Sequence, residues 1–207
     1  MLAMMRPRTV VSATALFVAA YFHANAQTGG TRPTLSVTAY TIDAQIDPVA
    51  QRLTATAAVT FTAIQDLTSA TFELNNGLRI TKVTGPAGKP LDSDRDARRS
   101  TVTVALPTTM PAGTSATFTF AYNGILKEAD TSPVEGIKTA ALADPVSMLL
   151  YPGRWFPMVG LYTNRFTMNL HATVPGDETA VSSGFTGKKS LPGNKTEFDF
   201  AWAKPGF

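Results

Sequence analysis

No cysteine occurs in these 207 residues. The chain cannot be closed by disulfides, so its fold must rest on an apolar core. Histidine is nearly as scarce, with His23 and His171 the only two. With no thiolate and so few imidazoles, a transition-metal centre would depend on carboxylates, and no spacing along the sequence supports one. Charged residues make up only 16% of the chain, which is low for a folded protein. There is no Gly-rich phosphate cradle, no Gly-x-Ser-x-Gly turn to present a nucleophile, and no basic stripe interleaved with aromatics. No segment beyond the leader carries a sustained helical period, and no fixed-period repeat is visible. On its own residues the chain is not visibly an enzyme.

What is present begins with an export signal. Arg6 and Arg8 form a positive region, residues 9–22 are uncharged and mostly apolar, and Ala24-Asn25-Ala26 offers small residues before Gln27. This is the layout of a secretory signal peptide, helical and removed on export, with an apolar run short for a membrane span. The expectation is an exported protein, periplasmic or extracellular, with no membrane attachment after cleavage. Removing 26 of the 207 residues leaves 181, and losing two arginines brings the 18 Lys and Arg to 16 against 15 Asp and Glu. A chain so near neutrality has no electrostatic reason to bind nucleic acid or an anionic membrane.

Residues 27–34 read as a linker and residues 35–207 as one β-domain. Tyr40, Ile42, Ala44 and Ile46 alternate with polar residues, as do Leu53, Ala55, Ala57, Val59 and Phe61 with threonines between them. Ala70, Phe72 and Leu74 follow, then Asn76-Gly77 as a turn tolerant of positive φ, then Leu78, Ile80 and Val83. Val102, Val104 and Leu106 resume the period, residues 107–113 connect, and Ala116, Phe118, Phe120 and Tyr122 form an aromatic strand. Residues 127–145 read as a long loop with one short helical turn near 139–142. Phe166, Met168, Leu170, Ala172 and Val174 alternate again, with further strands expected at 180–184 and 197–202, joined by 187–193. Period-two runs punctuated by Gly, Pro and Asn predict an all-β protein, an antiparallel β-sandwich or saddle-shaped curved sheet, preceded by the signal-peptide helix.

The densest stretch is Tyr151-Pro152-Gly153-Arg154-Trp155-Phe156-Pro157. Two prolines keep it out of the middle of a sheet or helix, and two adjacent rings need a surface to bury against. It is either a rigid corner plugging the domain's own core or a docking edge for another domain. His171 shares the outward face of its strand with Thr167, Asn169 and Thr173 and is expected to be a plain exposed histidine. Asp92-Ser93-Asp94-Arg95-Asp96 resembles the opening of a calcium loop, but Ala97 and Thr103 stand where Gly and Glu are required, which favours a solvated hairpin tip. Asn194-Lys195-Thr196 matches a glycosylation sequon.

The order of these pieces carries a resemblance. Tyr40-Thr41-Ile42-Asp43, Leu53-Thr54-Ala55-Thr56-Ala57, Phe72-Glu73-Leu74-Asn75 and Leu78-Arg79-Ile80 are followed by Val102-Thr103-Val104-Ala105-Leu106-Pro107 and Ala112-Gly113-Thr114. Then come Phe118-Thr119-Phe120-Ala121-Tyr122-Asn123-Gly124, Arg154-Trp155-Phe156-Pro157 and Leu170-His171-Ala172-Thr173-Val174-Pro175. In this order they resemble the amino-terminal β-domain of the membrane alanyl aminopeptidase (aminopeptidase N) family of zinc metallopeptidases. The resemblance covers nearly all of the chain beyond the leader.

The resemblance implies a saddle-shaped β-domain standing before a thermolysin-like domain that holds zinc through His-Glu-x-x-His and a distal Glu. Neither that motif nor Gly-x-Met-Glu-Asn occurs here, so no catalytic residue, zinc ligand or cofactor is assigned to this chain; zinc is expected only in a full-length relative. The Gln or Glu that the family places before its Arg-x-Phe-Pro anchor is missing from Pro145-Val146-Ser147-Met148, and Met158-Val159-Gly160 replaces the acidic continuation. The resulting expectation is a non-catalytic domain that packs against a peptidase domain or chain and shapes its substrate cleft. Arg154, Trp155, Phe156 and Pro157 are the contact candidates, with an exposed apolar patch expected there. The alternative is a free-standing exported β-sandwich binding carbohydrate or protein, with Tyr151, Tyr162 and Trp202 as candidate aromatics.

Overall fold

Alternation of apolar residues with threonine builds the first hairpin. In a computed structural model that describes residues 33–126, 140–160 and 164–206, β1 (Leu35–Asp47) and β2 (Arg52–Ala63) pair antiparallel. Their turn is held by the Asp47 carboxylate accepting from the Ala50 amide at 2.9 Å, with Gln51 at φ 53°. One residue breaks the period: a bulge between Val37 and Ala39 lets Leu35 and Val37 face the same core as Tyr40, Ile42 and Ala44. An extra residue in one strand switches which parity points inward. The leader expected at residues 1–26 and most of the linker lie outside the described residues.

Around this hairpin a seven-stranded sheet assembles in the order β11-β12-β10-β1-β2-β7-β4. Its other strands are β4 (Leu78–Thr84), β7 (Ser115–Ile125), β10 (Phe166–Pro175), β11 (Phe185–Leu191) and β12 (Lys195–Gly206). All pairs are antiparallel except β1 with β10, which run parallel. A second sheet, β3 (Leu67–Glu73), β6 (Thr101–Met110) and β5 (Ser93–Asp96) in the order β3-β6-β5, lies over one part of it. Phe61, Phe72, Phe118 and Phe120 join the two layers, with edge-to-face ring contacts at 4.8, 5.0 and 6.0 Å. All four are buried, and each such ring contributes roughly 1.5–3 kcal/mol by leaving water. The all-β expectation holds.

Several local expectations change. Asn76-Gly77 makes no strand-to-strand hairpin with positive φ. β3 and β4 belong to different sheets, and the turn between them closes with the Leu78 amide on the Asn75 carbonyl at 3.1 Å. Glycine is needed there for closeness, since a Cβ on Gly77 would stand 3.0 Å from the Ile125 carbonyl oxygen. β6 runs on through Pro107, which is tolerated because the β3 register is interrupted opposite it. The strand expected at 180–184 lies instead at β11, and its turn to β12 is Pro192-Gly193-Asn194. In place of the helical turn expected near 139–142, β8 (Ala140–Ala141) pairs with β9 (Met148–Leu149) among the described residues. Residues 127–139 of the expected loop lie outside the described residues.

Candidate functional site

The stretch from Tyr151 to Pro157 folds as a single helical turn, α1 (Pro152–Trp155), inside a corner. Pro152 stands at its first position, where a missing N–H leaves nothing unsatisfied, and the Phe156 amide donates to the Pro152 carbonyl at 3.0 Å. The corner is fastened to β3. Glu73 and Met158 exchange backbone hydrogen bonds at 2.7 and 3.0 Å, and Arg154 Nη1 meets Glu73 Oε1 at 3.1 Å. The Arg154 guanidinium also lies 5.5 Å from the centre of the Tyr151 ring. A Cβ on Gly153 would stand 2.8 Å from the Glu73 carboxyl carbon, so a larger residue there would displace the Glu73 side chain.

This anchoring turns the two rings inward. Trp155 and Phe156 are 6% and 2% exposed. Phe156 sits edge-on to Tyr40 at 4.9 Å and to Trp155 at 4.6 Å, and Tyr40 in turn meets Phe166 at 4.8 Å. Pro157 is buried as well. The expected exposed patch is therefore not made of these rings. A helical turn whose Arg154 is tied to β3 has no way to present Trp155 and Phe156 outward.

The exposed apolar surface lies beside them. Val146 and Leu150 are 65% exposed, Met148 41% and Val181 89%. With Trp155 they border a groove of about 400 Å³ whose floor is the inner face of β1, β10 and β12, at Ala44, Leu170, Ala172 and Phe200. Among the described residues, none from the three-stranded layer lines this groove, and the floor residues are themselves buried. Glu178 is the one ionisable side chain among the described residues of the lining. A groove of this volume falls in the range of sites that receive a small ligand or an inserted side-chain cluster, roughly 300–1,000 Å³. Lined as it is, it can bury apolar surface.

The remaining candidates are scattered. Trp202 stacks on Phe166 at 6.3 Å and donates its indole N–H to the Ser183 carbonyl at 2.7 Å. Neither Trp202 nor Tyr151 lines the groove, and Tyr162 lies outside the described residues. The run at 92–96 is largely exposed, as a solvated hairpin tip requires, and its residues Ser93–Asp96 form β5, paired with β6. Its Arg95 reaches under the turn and donates to the Leu74 and Leu78 carbonyls at 2.8 and 2.7 Å. Burial lowers the Arg95 pKa, yet a guanidinium keeps its charge. A fixed cation in the middle of that run opposes calcium there. His171 is on the outward face as expected, with Nδ1 2.5 Å from Asp199 Oδ1. Asn194 lies at the β11–β12 turn with φ 52°. The groove residues were not foreseen. Their signal was the apolar run Met148-Leu149-Leu150 beside Pro145, placed where a strand could not bury it.

No family model and no curated protein matches this sequence. Solved structures match the fold. An M1 zinc metallopeptidase from Deinococcus radiodurans is 19% identical with a TM-score of 0.67, covering 84% of this chain and 40% of its own. A mutant of such an enzyme from the same organism, bound to a Tyr-Ser-Ala substrate, is 18% identical with a TM-score of 0.67, over 83% of this chain and 40% of that one. A two-domain M1 zinc metallopeptidase mutant bound to L-arginine gives 20% identity and 0.67, again over 83% and 40%. This chain thus has the fold of one part of those enzymes and spans 40% of their length. The resemblance read from the order of the strands holds at the level of fold.

Proposed function

We propose that this chain acts as a non-catalytic β-domain of an exported metallopeptidase-like protein, packing beside a peptidase domain and walling one side of its substrate cleft. The observation that carries this is the groove, rimmed by the exposed side chains of Val146, Met148, Leu150 and Val181, on a fold that matches 40% of the length of M1 zinc metallopeptidase chains. Isolated exposed apolar residues are ordinary, but four around one apolar trough mark a contact surface. The layout of residues 1–26 supports export. Arg154, Trp155, Phe156 and Pro157 serve this contact from beneath, by fixing the corner from which the rim projects.

The test is co-purification of the full chain with M1-type zinc peptidase domains from its own genome. A one-to-one complex is expected with one of them, lost in the Leu150→Asp, Val181→Asp double variant whose circular dichroism is unchanged. Failure to bind every such domain, or a complex indifferent to the double substitution, overturns the proposal. So does chelator-sensitive hydrolysis of aminoacyl anilides by the purified chain alone.

A further inference from the structure

The seven-stranded sheet has a second face, turned away from the groove and dressed mainly in threonine. On it, three neighbouring strands bring together groups that lie far apart in the sequence. In the β10–β12 ladder His171 is opposite Asp199 and Thr173 opposite Glu197, while across the β1–β10 ladder Asp43 is opposite His171. One ligand atom each from His171, Glu197 and Asp199 lies within 4.8 Å of the other two. Beside them is a shallow hollow of about 170 Å³ lined by Asp43, His171, Thr173 and Glu197, with Thr54 and Thr56 across from it.

We infer that His171, Asp199 and Glu197 form a binding site for a first-row divalent transition metal ion, with Zn²⁺ the fitting species. The geometry is that of a sheet. Residues two apart on one strand share a face, and the directly opposite residue on the neighbour completes a triangle. The ladder holds these three backbones in place whether or not an ion is present, so little ordering is left for binding to supply. An imidazole beside two carboxylates selects zinc and its neighbours over magnesium and calcium, which prefer oxygen alone. The hollow leaves room for waters or an outside ligand at the remaining positions.

Charge points the same way. Asp43, Glu197 and Asp199 gather three carboxylates around His171, and the Lys189 ammonium, 2.5 Å from Glu197 Oε1, offsets one of them. A divalent ion would bind Glu197 through its other oxygen or displace Lys189. The His171 to Asp199 hydrogen bond at 2.5 Å is the alternative use of the same atoms, with a proton where the metal would sit. This site is independent of the groove, so the proposal stands or falls apart from the packing role.

Calorimetric titration of the full chain with ZnCl2, in a His23→Ala background that leaves His171 as the only imidazole, tests it. Saturable one-to-one binding is expected, with a zinc-dependent rise in the thermal midpoint. His171→Ala, and separately Asp199→Asn, should each weaken binding by about tenfold or more, with circular dichroism unchanged. Absence of saturable binding at millimolar zinc overturns the inference. Binding by His171→Ala as tight as that of its parent overturns it equally.

Discussion

Two buried phenols offer the sharpest test of how this core is built. Tyr40 and Tyr122 are 2% and 1% exposed, and among the described residues neither hydroxyl has a hydrogen-bond partner. Both come from strands whose neighbours are apolar, so burial holds their protons on well above the usual phenol range; for Tyr122 the nearby Tyr40 adds to the effect. In the unfolded chain the same groups ionise near pH 10. Below that value the two states bind equal numbers of protons, and these tyrosines give no pH dependence. Above it the unfolded chain sheds protons that the folded chain keeps, so stability falls as pH rises. Each phenol contributes a slope of about 1.4 kcal/mol per pH unit, or about 2.7 kcal/mol for the pair. Guanidinium unfolding followed by tryptophan fluorescence at pH 9, 10 and 11 reads this slope. Tyr40→Phe, Tyr122→Phe should flatten it. Because a buried unpaired hydroxyl opposes folding, the double variant should also match or exceed the parent's stability at pH 7, by up to about 1–3 kcal/mol. If the double variant keeps the alkaline slope, or loses more than about 1 kcal/mol at pH 7, the hydroxyls are bonded and the reasoning fails.

Further outcomes are expected from the anchors. Arg95→Met should lower stability by about 2 kcal/mol in urea, since the Leu74 and Leu78 carbonyls lose a charged donor; millimolar calcium should leave the parent's thermal midpoint unmoved. Gly153→Ala should cost about 1–3 kcal/mol through forced displacement of the Glu73 side chain.

Much of the fold was legible because threonine alternates with apolar residues so regularly. Where one residue interrupts that period the sequence misleads: Leu35 and Val37 fall on the opposite parity from Tyr40 and Ile42, and only the bulge returns them to the core. The Asn76-Gly77 turn is legible as a turn, but its residue types cannot say whether it joins paired strands or crosses between layers. Exposure was the least legible property. Trp155 and Phe156 have the residue types of a docking patch, yet the Arg154 tie to Glu73, 81 positions away in sequence, decides which way they face. The His171 cluster was hidden for the same reason. Its three members span two strands, and their convergence depends on a register that no local spacing records.

Burial of the corner rings changes what a contact role requires of them. A docking surface made of residues 145–150 would be a slack loop if nothing held it, and ordering it on association would consume much of the binding free energy. Here the strip is held by pairing within it and by the corner that follows it. The β8–β9 pairing holds Met148 and Leu149, and the corner that follows is locked by the Trp155–Phe156–Tyr40 ring contacts and by Glu73. Val146, Met148 and Leu150 therefore stand at the groove from a hydrogen-bonded base. In the contact proposed above, Arg-Trp-Phe-Pro would act through the position it gives its neighbours, and its own rings would not need to touch the other domain.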